Sequence, residues 1–118
     1  ALNAPQEDFS ELKKAEIKKI KDNYKPQLEK IERLQKYEEL NFERERTRVQ
    51  RALESTVKYD QNNPNLQQDI QRYQGRLNQI EADYNSNRTK LQQQYNTLKK
   101  QQQDEIDKVV NSQDDAQN

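Results

Sequence analysis

Phe9, Ile20, Ile31, Phe42 and Leu53 recur every eleven residues through the first half of this chain. Eleven residues make close to three turns of an α-helix, so the spacing lays all five along one face of a long helix with little supercoil or a slightly right-handed one. Leu12, Tyr24, Leu28, Leu34, Val49 and Val57 fall close to the same face. In the second half Leu66, Ile70, Tyr73, Leu77, Ile80, Tyr84, Leu91, Tyr95, Leu98, Ile106 and Val109 follow steps of three, four and seven, the pattern of a coiled-coil seam. A disordered chain has no reason to keep such stripes.

The stripes matter because little else is apolar. Of 118 residues 29% are hydrophobic and 36% charged, far below the roughly 45–50% apolar share of an ordinary globular domain. A compact single-core fold is excluded by that deficit, whereas two paired helices need only a narrow apolar strip each. The length permits one domain at most.

The one strong interior turn signal is Lys58-Tyr59-Asp60-Gln61-Asn62-Asn63-Pro64-Asn65. Pro64 pushes Asn63 away from helical angles and suits the first position of a new helix, where its missing N–H costs nothing. The reading is an all-α, long antiparallel helical hairpin, coiled-coil-like, over residues 1–118: arm one about 5–59, loop about 60–64, arm two about 65–111 and a loose acidic tail 112–118. Glu7 and Asp8 suit a first turn starting near Pro5, where carboxylates favour the helix dipole. Pro26 lies inside arm one and removes a hydrogen bond, so a kink is expected there; the stripe passes through it in phase at Ile20, Tyr24, Leu28 and Ile31. Glu29/Arg33, Glu32/Lys36 and Glu54/Lys58 are spaced for ion pairs along arm one. A rod of roughly 70–80 Å follows from the rise per residue.

Folding back about a loop centred near residue 61 sets Val57 opposite Leu66, Leu53 opposite Ile70, Phe42 opposite Ile80, Ile31 opposite Leu91, Leu28 opposite Tyr95, Tyr24 opposite Leu98 and Ile17 opposite Ile106. The match fails at Glu43-Arg44-Glu45-Arg46-Thr47-Arg48, which sets Leu77 against Arg46 and Tyr84 against Glu38 and Glu39. Glu38, Phe42, Arg46, Leu77 and Tyr84 are therefore the candidate interaction residues. The simpler expectation is that Arg46 lays its methylene stem across Leu77 with its charge in water; Glu81 and Asp83 are its candidate partners across the pair. Gly75 sits mid-helix, either permitting a close approach or merely tolerated.

Lys14, Lys18, Lys21 and Lys25 line one face as a candidate basic stripe, and Arg44, Arg48 and Arg51 form a second. Lys plus Arg and Asp plus Glu both total 21, and no nucleic-acid motif is present, so solvated faces are favoured over binding to nucleic acid or a membrane surface. Tyr73, Tyr84 and Tyr95 are expected on the seam, with hydroxyls at its edge. Asn87-Arg88-Thr89 fits a glycosylation sequon, a pattern too short to weigh.

Without Cys or His the chain has no thiolate nucleophile, no Cys/His zinc site and no Ser-His-Asp triad. The carboxylates form no recognisable calcium loop or catalytic pair. No enzyme activity, cofactor, metal or small-molecule substrate is expected. Two narrow stripes make a small core against the entropy of ordering the chain, which favours self-association as a dimer in a four-helix bundle. The functional expectation is a structural or protein-interaction module acting as rod, spacer or docking arm. The alternative is a chaperone-like or adaptor hairpin of the cell envelope that holds a protein client. A start at Ala1-Leu2-Asn3-Ala4 would suit an exported, periplasmic or secreted, chain.

Overall fold

The computed structural model describes the backbone of residues 4–117 and the side chains of residues 11–112. It is all-α: α1 spans Ala4–Tyr59 and α2 spans Leu66–Gln117, joined as an antiparallel helical hairpin. The side chains of Glu7, Asp8 and Phe9, and those of the acidic tail from 113 on, lie outside the described residues. α2 is helical past Asn111, where the sequence led us to expect fraying. α1 runs through Pro26 without interruption, since the apolar stripe keeps its phase across the one missing hydrogen bond.

The loop follows from its amides. The backbone N–H of Asp60 donates to Thr56 O at 3.0 Å and closes α1, and that of Asn63 donates to Asp60 O at 2.9 Å. Asn63 then starts α2. Its Oδ1 accepts from Asn65 N at 2.9 Å and its Nδ2 donates to Asp69 Oδ2 at 2.9 Å; its carbonyl accepts from Leu66 N at 3.1 Å. This is the side-chain capping that an Asn ahead of a helix supplies, with Pro64 placed where no N–H is required.

Two compact units divide the hairpin. The loop unit is Arg33–Leu91, and the terminal unit is Ala1–Glu32 with Gln92–Asn118. Within each, a stretch of α1 lies beside a stretch of α2. In the loop unit Val49 is buried, and Phe42, Leu53, Leu66, Ile70, Tyr73, Leu77, Ile80 and Tyr84 are half-buried. In the terminal unit Leu28 and Ile31 are buried, and Ile17, Ile20, Tyr24, Tyr95, Leu98, Ile106 and Val109 are half-buried. The tyrosines eleven apart thus sit on the seam, as their spacing predicts.

Three members of the expected stripe do not reach it. Leu12 is 65% exposed, Leu34 41% and Val57 46%. At 100° per residue Leu34 lies at about 60° from Ile31 around the helix, on the shoulder of the stripe rather than on its centre.

The half-buried phenol of Tyr24 has its pKa pushed above the ordinary 10.0, by burial first and then by the carboxylate of Glu105. Three of the four lysines of the stripe pair along α1: Lys14 with Glu11 at 3.4 Å, Lys18 with Asp22 at 3.2 Å and Lys25 with Glu29 at 4.0 Å. Glu29 therefore pairs with Lys25 rather than with Arg33, and Lys58 lies over the Tyr59 ring at 5.2 Å.

Gly75 allows no close approach, since a Cβ built there would meet nothing within 4 Å. Gly75→Ala is therefore expected to stabilise the hairpin by about 1 kcal/mol through helix propensity alone. A thermal melt followed by circular dichroism should show a rise of roughly 4–8 °C, as expected for a chain of about 100 residues. An unchanged or lower midpoint would mean that the outer face of α2 at Gly75 is in contact with something.

Candidate functional site

The polar section where the apolar match fails becomes a shallow groove of about 210 Å³ in the loop unit, lined by Glu38, Asn41, Phe42 and Glu45 of α1 and by Ile80, Asp83, Tyr84 and Asn87 of α2. At its base Phe42 and Tyr84 stack with ring centroids 4.3 Å apart and planes at 15°. Tyr84 thus has an apolar partner, a correction to the pairing with Glu38 and Glu39 expected from the register.

The reason is the lean of helical side chains. Each points back toward the N-terminus of its own helix, and in an antiparallel pair the two leans are opposed. Tips therefore meet between residues lying further along than their Cα levels suggest. Phe42 meets Tyr84, four positions beyond Ile80. Glu38 accepts from Asn87 Nδ2 at 3.1 Å, three beyond Tyr84. The long Arg76 guanidinium is not bound by this geometry and reaches back to Glu45 at 3.8 Å.

Arg46 also departs from expectation. Its Nη2 pairs with Glu43 Oε2 on its own helix at 2.8 Å, and its guanidinium lies 5.2 Å from the centre of the Phe42 ring. Glu43 and Phe42, three and four residues back along α1, are reached at no cost in chain geometry; Glu81 and Asp83 are not its partners. The Nε atom is buried with no hydrogen-bond partner. Leu77 is half-buried and does not line the groove. Of the five predicted interaction residues, Glu38, Phe42 and Tyr84 come together there, with Arg46 against the Phe42 ring. Asn41, Glu45, Ile80, Asp83 and Asn87 were missed, although the amide-for-apolar change at Asn87, four before Leu91 in the seam's steps, was a readable signal.

Arg46→Leu is expected to raise the melting temperature by a few degrees, the equivalent of about 1 kcal/mol. It removes an unsatisfied buried donor, worth about 1–3 kcal/mol, and gives up a half-exposed ion pair worth at most about 1 kcal/mol and a cation–π contact worth about 0.5–1 kcal/mol. A falling midpoint would show that the contacts to Glu43 and Phe42 outweigh the stranded donor.

Chemically the groove offers two stacked rings beside carboxylates and amides. Among the described residues no cluster of three or more His, Cys, Asp or Glu could hold a metal ion, and no helix is long and apolar enough to cross a membrane. Asn87 of the sequon is engaged with Glu38 in mid-helix, and Thr89 Oγ1 donates to Asn85 O at 2.9 Å. No family model, curated protein or solved structure matches the chain.

The exposed apolar side chains of α1 are the other candidate surface. All six large hydrophobic side chains that are exposed among the described residues belong to α1: Leu12, Leu34, Tyr37, Leu40, Val57 and Tyr59. Tyr37 is 63% exposed and Leu40 58%. Those of α2, Leu66 to Val110, are all at least partly covered.

Proposed function

We propose that this chain is a protein-interaction module whose α1 serves as a docking arm, with α2 as the strut that supports it. The observation that carries this is the inequality of the two helices. α2 places its apolar residues against α1, whereas α1 has an additional set that α2 does not cover. Exposed apolar side chains grouped on one element are characteristic of surfaces that meet other proteins. Hairpins associating side by side, the four-helix arrangement expected from the thin core, would use the same economy.

A second reading, a hairpin that holds an unfolded client, is favoured by the same unburied residues along one arm. Sedimentation across a concentration series, with and without a reduced and alkylated globular protein, separates the two. A monomer that captures the alkylated protein supports the client reading; a self-associating hairpin, or one that ignores the alkylated protein, supports the docking arm. The triple variant Leu34→Gln, Tyr37→Gln, Leu40→Gln should retain the parent melting temperature, because exposed substitutions are nearly neutral, within about 0.5 kcal/mol each. A clear fall at a concentration where the parent is monomeric would place these residues in the hairpin's own core and sink the docking reading.

A further inference from the structure

We infer that the outward face of α1 between Arg33 and Arg51 is a docking surface for an acidic amphipathic helix of another protein. The inference rests on the docking-arm reading and names the partner's chemistry. All five arginines of α1 fall in this stretch: Arg33, Arg44, Arg46, Arg48 and Arg51, with Lys36 the only lysine among them. Arg46 turns to the seam and pairs there. The other four lie within about 60° of one another around the helix, each about 100° or more from Ile31, Phe42 and Val49. Among the described residues, these four make no ion pair.

Leu34, Tyr37 and Leu40 lie in or beside the same sector, so the strip has an apolar end and a cationic end. Every carboxylate of the stretch, Glu38, Glu39, Glu43 and Glu45, falls at about 100° or more from the centre of this sector. Four guanidinium groups that make no ion pair among the described residues of the hairpin are complementary to a row of carboxylates. Arg binds a carboxylate with two parallel hydrogen bonds, and Arg and Tyr are the side chains that most often carry binding energy at protein interfaces. A matching helix would set apolar side chains on Leu34, Tyr37 and Leu40 and carboxylates at steps of three and four on Arg44, Arg48 and Arg51. A second copy laid parallel on the same sector would face arginine with arginine, and one laid antiparallel would set Arg33 against Arg51 and Arg48 against Lys36. Membrane surfaces and nucleic acids act through an excess of positive charge, with lipid-binding clusters of about four to eight basic residues; here the acids along the same helix cancel most of it.

The test is selection from a display library of helical peptides randomised at their surface positions, using the full chain as bait, followed by affinity measurement against the variant Arg44→Gln, Arg48→Gln, Arg51→Gln. Circular dichroism first establishes that this variant keeps its helix. Enriched peptides are expected to combine an apolar step with Asp or Glu at steps of three and four, and to lose about tenfold or more in affinity for the variant. Enriched peptides without an acidic excess overturn the inference and leave the docking arm standing. No enrichment over the variant overturns both. Vesicles of phosphatidylserine in phosphatidylcholine, and a DNA duplex, are run in parallel at physiological salt. Binding to either that is lost in the triple variant, or loss of self-association in that variant, assigns the strip to that occupant instead and overturns the inference.

Discussion

Ile31→Asp is expected to leave most of the chain unfolded at 25 °C and neutral pH, whereas Ile31→Val should cost only about 1 kcal/mol. The difference lies in what the seam can absorb. Ile31 is 7% exposed, and only Leu28 and Val49 match it among the described hydrophobic side chains. A carboxylate in that position loses its hydration and gains no partner, at a cost of several kcal/mol. Single domains are held by about 5–15 kcal/mol in total, and a hairpin with three buried side chains among the described residues belongs at the low end. Helix content by circular dichroism checks this directly. A folded Ile31→Asp variant with a midpoint near that of the parent would mean that the two helices do not depend on this seam.

The second large effect is expected at Phe42. Its ring stacks on Tyr84 and lies under the Arg46 guanidinium, so Phe42→Ala removes a half-buried aromatic and two contacts together. A fully buried Phe→Ala costs about 3–5 kcal/mol; for a half-buried ring about 2–3 kcal/mol is expected. Adding Tyr84→Ala should cost less in the variant than in the parent, with a coupling of about 0.5–1.5 kcal/mol for the stacked pair. Urea unfolding of the four proteins gives the coupling. Additive costs would show that the rings contribute only by their separate burial.

The hairpin was legible because three signals agree: the eleven-residue period in α1, the three-four steps in α2, and one turn with Asn63 ahead of Pro64. Facing numbers about the loop identified the seam but misassigned the partner of Tyr84. The arithmetic treats side chains as perpendicular to the helix, whereas Phe42 and Tyr84 lean in opposite directions and meet four positions away from the expected contact. The groove was legible as a polar interruption, and its floor was not. Arg46 shows a further limit, since a spacing of three on the same helix competes with every partner across the pair, and here Glu43 wins. The outward strip was half visible as Arg44, Arg48 and Arg51. Its meaning needed the exposure of Leu34, Tyr37 and Leu40, because sequence periodicity alone had placed Leu34 with the core.

The central claim is that the chain folds back on itself, so that α2 covers one face of α1 and leaves the Arg33–Arg51 face outward. Paired cysteines test it most directly, in a chain that has none of its own. Leu28→Cys with Tyr95→Cys probes the terminal unit, Leu53→Cys with Ile70→Cys probes the loop unit, and Arg44→Cys with Gly75→Cys, on outward faces, is the control. Oxidised at low concentration, the first two pairs should form a disulfide within one chain at monomer mass, and the control should not. Cross-links formed only between chains in the first two pairs, or an efficient intrachain bond in the control, would contradict the fold and the docking face together.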